Sequence, residues 1–534
     1  MLGAASREAA WQRVAREEWD LIVVGGGVTG AGILREAARV GLRALLFEQN
    51  DFAYGTSSRS SKLVHGGLRY LSQYQFSLTR QSVAEREILL REGPGLIERL
   101  PFLFTTYEDD RMPSWMTEVG LTVYDWLAHH WRAHQHVDAE TLQMMVPGIA
   151  SAGLTGGFCF YDAQTDDARL VLRLIREGTD GGKAVALNYA RVEGLLRGGE
   201  GLVNGVVVRD QVGGAAHPAS ARAVINATGV WVDHLRRELG HAPRMRPLRG
   251  SHLIFSQRRF PIFQAITFPH PDDGRPVFIF PWEGVTLVGT TDLDHHENLD
   301  LEPAISPEEV GYLLRAVQVH FPLLALTQAD VVSTFAGVRP VVDGGREVAP
   351  SKASREHVIW EEDGMLTVAG GKLTAFRRIA LDLLHHLRDR LPSMPTLHDE
   401  MPALDPLPPI EPLPPDVTPE QARRLVAYHG AGILEWLAAA PVEERRPIQE
   451  GLPFLGGELR WAAQYEAAVH LEDLLLRRVR IGLLLPEGGA HLLPRLRGLV
   501  QNALAWDDNR WLEEETRYRE LWKAHYSLPD EVYA

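Results

Sequence analysis

The apolar positions of residues 20–49, "DLIVVGGGVTGAGILREAARVGLRALLFEQ", change period twice. Residues 21–24 form a short unbroken apolar run, the pattern of a strand buried on both faces of a parallel sheet. From about residue 28 to 40 the apolar side chains recur at helical spacing, and Gly41 supplies a stop. Residues 44–47 are apolar again, so the stretch predicts one strand–helix–strand unit. Farther on, "KAVALNYARVEGLL" and "GLVNGVVVRD" predict strands around a turn. "ARAVINATG" predicts a buried strand ending in a glycine turn, and residues 275–292 predict a hairpin about "PWEG". "GMLTVAGGKLTAFRRIALDLLHHLRDRL" reads as strand, glycine turn and long helix. Residues 80–150 are expected to be mostly helical. Near the start, Trp11, Val14, Ala15 and Trp19 follow helical spacing and predict a short amphipathic helix packed on the body.

The pattern breaks at residues 401–416, "MPALDPLPPIEPLPPD", where seven prolines predict a stiff linker. Beyond it, Ala463, Ala467, Val469, Leu471, Leu474 and Leu475 form an apolar stripe, and residues 417–534 are expected to be a separate helical domain.

Composition narrows the picture. A chain of 534 residues is too long for one ordinary core. Its 55 Lys+Arg against 70 Asp+Glu give a net charge of −15, which argues against nucleic acid as a partner and against adhesion to anionic lipid by bulk charge. Cys159, the single cysteine, allows no disulfide within the chain and no cysteine-only metal site, and fits a reducing compartment. No secretory signal is read at the start, and no apolar run reaches the ~18 residues of a spanning helix. Any work at a membrane is therefore expected to be peripheral.

The candidate chemistry begins at Gly25, Gly27 and Gly30, a G-x-G-x-x-G set between strand and helix. The first glycine permits the tight turn, the second lets backbone approach a pyrophosphate, and the third packs helix on sheet. Glu48 ends the next strand, where a carboxylate accepts the ribose hydroxyls of an ADP moiety. Two later glycine turns, "VINATG" and "TVAGGKLT", favour FAD over NAD. The second starts a late helix whose N–H groups can face a flavin edge. Shortly after Glu48, "SSRSSKLVHGGLRY" gathers Arg59, Lys62, His65 and Arg69 among serines and glycines, a concentration of donors in an acidic chain.

The chain resembles the FAD-dependent glycerol-3-phosphate dehydrogenase family. The resemblance rests on "DLIVVGGGVTGAGI", "TSSRSSKLVHGGLRYL", "DDARLV", "NATGVWVD", "RGSHLIF", "IFPWEGVTLVGTTD", "FAGVRPVV" and "AGGKLTAFR", which cover most of residues 19–380 in order. It implies an α/β fold: a Rossmann-like FAD-binding domain of the two-domain flavoprotein type (19–90, 166–245, 335–400), an antiparallel-sheet substrate domain (91–165, 246–334) and a C-terminal all-helical domain. It also implies oxidation of sn-glycerol 3-phosphate to dihydroxyacetone phosphate, with electrons passed from FAD to quinone. The protein would be cytoplasmic and peripherally attached to the cytoplasmic membrane, and a homodimer is left open.

Site roles follow from the same resemblance. FAD contacts fall on Gly25, Gly27, Val28, Thr29, Gly30, Glu48, Gln49, Thr56, Ser57, Ser58, Ser61, Lys62, Leu63, His65, Gly66 and Gly67. They continue at Ala227, Thr228, Gly229, Gly371, Lys372, Leu373 and Thr374. Arg69, Arg339 and Arg355 are phosphate candidates, because a guanidinium presents a planar fork to that group. Tyr70 orients substrate. His65 is the first choice of base and His252 the second, with Lys372 and Arg339 beside the reacting atoms. Arg59 is expected to face solvent. The histidines of "HHWRAHQH", "DLDHHE" and "HLED" lack a metal-ligand pattern, so no metal is expected. The rival functions are a glycerol-3-phosphate oxidase using oxygen and an amine or amino-acid oxidase. The latter would want a carboxylate clamp rather than phosphate-binding arginines.

Overall fold

The computed structural model describes residues 4–71, 75–110, 113–128, 133–343, 356–391, 394–398 and 400–530, with the backbone alone of Ala4, Ala5, Arg69 and Tyr70. Arg355 and the side chains of Arg69 and Tyr70 lie outside the described residues.

Two sheets carry the site. The first runs Val358–Glu362, Met365–Ala369, Ala216–Asn226, Trp19–Val24, Ala44–Phe47, Ala184–Leu187, and its inner strands are parallel. The apolar runs are buried on both faces, as their lack of alternation requires. Leu21, Val23 and Leu46 face a core shared with helices Val28–Arg39, Asp167–Asp180 and Phe376–His386. Ile22, Val24, Leu45 and Phe47 face the other way, against Trp11 of helix Ala4–Arg16 and the hairpin Ala190–Arg197/Val203–Asp210. Trp19, expected to continue the N-terminal helix, instead opens the first strand.

The second sheet runs Leu293–Asp294, Met245–Ser256, Val285–Gly289, Pro276–Trp282, Ala265–Pro269, Ile97–Tyr107, Leu154–Thr165, Leu63–Val64. It is antiparallel except between Ala265–Pro269 and Ile97–Tyr107. Val331–Val342 pairs along nearly the whole of Met245–Ser256. That pairing, and that of Leu63–Val64, places in this sheet two segments that the sequence division gave to the FAD-binding part. Residues 80–150 are also less helical than expected: Ile97–Tyr107 is a strand, because its ladder partner lies some fifty residues away and leaves no local signature.

The C-terminal helices form the expected helical domain, with a cluster of its own around Leu425, Leu437 and Trp461, and they also pack closely on the rest of the chain. Leu471, Leu474 and Leu475 share one core with Leu21 and Leu46. The proline-rich stretch packs too, with Ala403 and Leu404 buried and the Ala403 N–H donating to Glu92. The apolar stripe beyond it is broken, since helix Gly456–Tyr465 stops and Asp473–Arg478 forms a π-helical turn.

Candidate active site and cofactor cleft

Strand Trp19–Val24 delivers Gly25 to the carboxyl edge of the first sheet, where its N–H donates to Phe47 O at 2.8 Å. A Cβ on Gly30 would stand 1.9 Å from Gly25 O, so the helix sits on the turn only without a side chain there. Gly30→Ala is expected to leave protein purified without flavin; a normal visible flavin spectrum from that variant removes this role. Glu48 accepts from the Gly26 N–H at 2.6 Å and the Asn50 N–H at 2.9 Å. Burial raises its pKa to about 6 against the bonds from Asn50 and Gly26. Without cofactor, this raised value contributes stability below the unfolded pKa that is lost as pH rises through about 6. Ribose hydroxyls favour the carboxylate and reverse the sign. The gain in thermal stability on loading FAD is therefore expected to be larger at pH 7.5 than at pH 5.5, and equal gains would exclude Glu48 as the ribose acceptor.

A cavity of about 490 Å³ opens at this turn. Of the cofactor residues named above, Gly25, Gly27, Val28, Thr29, Glu48 and Gln49 line it, as do Thr56 and Ser57. Ala227, Thr228 and Gly229 join them, with Gly371, Lys372 and Leu373. Gly371 takes φ +84°, which a side chain would strain. Gly30, Ser58, Ser61, Lys62, Leu63, His65, Gly66, Gly67 and Thr374 do not line it. Ser60, residues 191–193, Trp231, His234 and Pro340 line it without having been expected. The Ala190 N–H donates to Glu48 O at 2.8 Å, which brings residues 191–193 alongside. Their residue types gave no signal, whereas Trp231 follows directly on the predicted 228–229 turn.

The donor-rich stretch divides between cofactor and scaffold. The Ser57 hydroxyl accepts from the Val28 N–H at 2.9 Å and so closes the loop onto the start of the dinucleotide helix. Lys62, expected at the cofactor, is fully buried: its ammonium donates to both Asp167 oxygens at 2.9 Å and to Ser58 O at 2.8 Å. Asp167 also takes the Ser60 N–H at 3.0 Å and hydroxyl at 2.7 Å, and pairs with Arg480. Burial raises the Asp167 pKa, but Lys62 and Arg480 outweigh it and hold the carboxyl below its ordinary range. Ser58 is buried as a backbone acceptor for Lys62 and Arg480 and does not reach the cavity. Arg59, expected in solvent, is buried in a pair with Glu302 and donates to the Tyr526 hydroxyl at 3.1 Å. Each is a cation whose counter-charge comes from a distant part of the chain, which local sequence does not reveal.

At the other end of the loop, Asp51 accepts a two-pronged pair from Arg478 and a third bond from Arg477. The π-helical turn of the C-terminal region thus supplies buried arginines to Asp51, and Arg480 just beyond it supplies another to Asp166 and Asp167.

The substrate candidates gather where the second sheet meets this loop. Arg339 Nη1 donates to Asp292 at 2.6 Å and Nη2 to the Thr290 hydroxyl at 3.2 Å. A Cβ on Gly250 would meet the guanidinium at 2.3 Å, so that glycine makes its room. Asp292 belongs to "DLDHHE", set aside from sequence as a polar loop. His252 Nε2 bonds the Ser61 hydroxyl at 2.9 Å, and its ring stacks on Phe335 at 4.5 Å. Its buried Nδ1 has no hydrogen-bond partner among the described residues. Burial, then the charges of Lys62 and Arg339, drive its pKa well below 6.5, so the imidazole is neutral. Lys372 donates to the Ser82 hydroxyl at 3.0 Å and lines the cavity. The His65 carbonyl lies 3.5 Å from the Thr374 hydroxyl, and the Gly66 N–H donates to Asp162.

Residues 20–377 match the family described as FAD dependent oxidoreductase, and residues 370–511 match the C-terminal domain of alpha-glycerophosphate oxidase. The aerobic glycerol-3-phosphate dehydrogenase of Bacillus subtilis is 38% identical over 385 residues, covering 71% of this chain and 68% of that one. The enzyme of the same name from Staphylococcus saprophyticus subsp. saprophyticus is 36% identical over 398 residues, covering 73% and 71%. The chain belongs to the FAD-dependent glycerol-3-phosphate dehydrogenase family. Among solved structures, the glycerol-3-phosphate dehydrogenase of Bacillus halodurans complexed with FAD superposes with TM-score 0.76 at 28% identity, over 98% of this chain and 97% of that one. L-alpha-glycerophosphate oxidase from Mycoplasma pneumoniae shares the fold, with TM-score 0.58 at 19% identity over 73% of this chain and 99% of that one. As in the rest of the glycerol-3-phosphate dehydrogenase family, FAD is the cofactor. The residues present fit it: the close approach at Gly30, the Glu48 carboxylate and the left-handed turn at Gly371 belong to one cavity wall or its support.

Proposed function

We propose that the protein oxidises sn-glycerol 3-phosphate to dihydroxyacetone phosphate and passes the electrons to a membrane quinone. The observation that carries the substrate assignment is Arg339, a guanidinium fixed by Asp292 and Thr290 beside Pro340 of the cofactor cavity. A small phosphate dianion matches that fork. FAD bound in this cavity would supply the acceptor, at flavin N5, for the hydride of substrate C2. The chain then has one proton to handle, that of the substrate hydroxyl.

His65 takes that proton in the reading from sequence. One observation favours a second assignment, to His252: a neutral imidazole with an unpartnered Nδ1, oriented through Nε2 by Ser61. Substrate phosphate at Arg339 offsets one of the charges that hold His252 neutral. The group that anchors the substrate thereby raises the basicity of the imidazole that receives its proton. Lys372 orients the hydroxyl, and Tyr70 and Arg69 complete the substrate contacts. Arg355 is a further phosphate ligand in this proposal.

Membrane contact would be peripheral. No helix among the described residues is long and apolar enough to cross a bilayer. Helix Ser114–Leu127 exposes Trp115, Met116, Val119 and Trp126 on one side while Tyr124 packs at Gly66 on the other. Indole rings favour the membrane interface, so this face supports the assignment.

Anaerobic mixing with glycerol 3-phosphate tests the function: the flavin absorbance should bleach, then return on adding quinone much faster than on adding oxygen. No bleaching overturns the substrate. Faster return with oxygen makes the protein an oxidase.

A further inference from the structure

A second cleft, roomier than the cofactor cavity, lies apart from it. It has a volume of about 850 Å³ and lies between helix Ala4–Arg16, the strand Ala184–Leu187 with its following turn, and the C-terminal helices. The turn at residues 48–50 divides the two, with Glu48 lining the cofactor cavity and Asn50 lining this one. Its lining includes Arg7, Arg13, His470, Arg510 and Arg517, and among the described residues no aspartate or glutamate. That is the opposite of expectation for a chain of net charge −15.

The cationic character is built in by layering. Arg510 Nη2 lies 3.3 Å from His470 Nδ1, and Arg517 Nη1 lies 3.4 Å from His470 Nε2, so the three groups form an arc. Their carboxylate partners stand behind it: Glu514 is 2% exposed and Glu472 5%, while Arg510 and Arg517 are 39% and 49% exposed. A ligand in the cleft therefore meets guanidinium and imidazole first. His470, Glu472 and Glu514 also bring ligand atoms within 4.8 Å of one another. Both carboxylates already hold arginines, and Glu514 also bonds His470 Nδ1 at 2.8 Å, so a metal ion would have to displace these partners, whereas an anion can approach the exposed guanidinium faces of Arg510 and Arg517. The other walls mix uncharged polar side chains such as Asn188 and Gln464 with apolar ones, including Ala10, Ala463, Ala467, Leu504 and Trp506.

We propose that this cleft binds a small organic anion, with a phosphate or carboxylate head on the Arg510–His470–Arg517 arc and an apolar body against the alanine, leucine and tryptophan walls. Concave sites with apolar walls and a few convergent polar groups are the usual form of a ligand pocket. The assignment is independent of the substrate reading, since none of these residues belongs to the flavin or substrate site.

Octyl phosphate, kept below its critical micelle concentration, is the probe, titrated calorimetrically into the FAD-loaded protein. One site per chain is expected, at least tenfold tighter than for octanol or for inorganic phosphate, which carry the two halves of the ligand alone. The double variant Arg510→Gln/Arg517→Gln is expected to lose at least tenfold in affinity while glycerol 3-phosphate still bleaches the flavin at the parent rate. Ala503→Trp, which fills the cleft from another wall, should weaken binding without touching the arc. Absence of binding to the parent overturns the proposal. Unchanged binding in either folded variant does so as well, because the probe would then sit elsewhere, including at the substrate's own phosphate site.

Discussion

Asp167→Ala is expected to destabilise the folded protein by about 3–5 kcal/mol, the cost of removing one partner from a buried ion pair. The carboxylate is fully buried and serves Lys62, Ser60 and Arg480 at once. Its loss leaves a buried ammonium without its acid and releases the Ser60 N–H and hydroxyl. Because residues 55–57 and Ser60 line the cofactor cavity, flavin retention should fall with stability. Denaturant midpoints and the rate of flavin release measure the two effects, and a variant matching the parent in both would show that Asp167 is not the anchor. The sign of the pH effect is fixed by the depressed folded pKa: the stabilisation is present above the unfolded value of 3.8 and fades as pH falls through the folded one. The gap between parent and variant should therefore narrow in acid. Removing Lys62 together with Asp167, as Lys62→Met/Asp167→Leu, should recover part of the loss, because no unpaired ammonium remains.

Arg339→Ala is expected to lower kcat/KM for glycerol 3-phosphate on the order of 100- to 10,000-fold while FAD stays bound. A charge-assisted hydrogen bond contributes about 1.5–3 kcal/mol, and a guanidinium fork makes two. The flavin should be indifferent, because the Arg339 partners among the described residues include Asp292, Thr290 and Thr291 and no residue of the dinucleotide turn. Arg339→Lys keeps the charge without the fork and should fall between. Asp292→Asn, which loosens the guanidinium without removing it, should raise KM more than it lowers kcat. Steady-state kinetics on flavin-replete protein decide the matter, and parent-like kcat/KM in Arg339→Ala would move the phosphate to another residue.

Much of this was legible in the chain because it is local. The glycine turn, the strand before it and Glu48 after it lie within one stretch, and each carries its reason in its own residue type. The same holds for the turns at residues 226–229 and 369–374. Arg339 and His252 were picked out by motif, and the long pairing of Met245–Ser256 with Val331–Val342 brings them near enough for the guanidinium charge to act on the imidazole. What could not be read was partnership at a distance. Lys62 looks like a ligand-binding cation beside serines and Arg59 like a solvated one, yet their acids are Asp167 and Glu302, more than a hundred positions away. Ile97–Tyr107 fails to announce itself for the same reason, since a central strand is specified by its neighbours. The proline-rich stretch reads as a spacer because composition reports stiffness and not burial.

The arginines of the C-terminal region bear on how the protein is made. Arg477 meets Asp51 across 426 positions of chain. At a synthesis rate of about 5–20 residues per second, the counter-charges for the flavin loop emerge on the order of 20–85 s after the loop itself. Until then Asp51, Asp166 and Asp167 are carboxylates without their guanidiniums, and the loop beside the dinucleotide turn is held by fewer contacts. Flavin capture is accordingly expected late in synthesis, and a chain cut short before residue 477 is expected to carry the nucleotide fingerprint and yet bind flavin more weakly than the full chain.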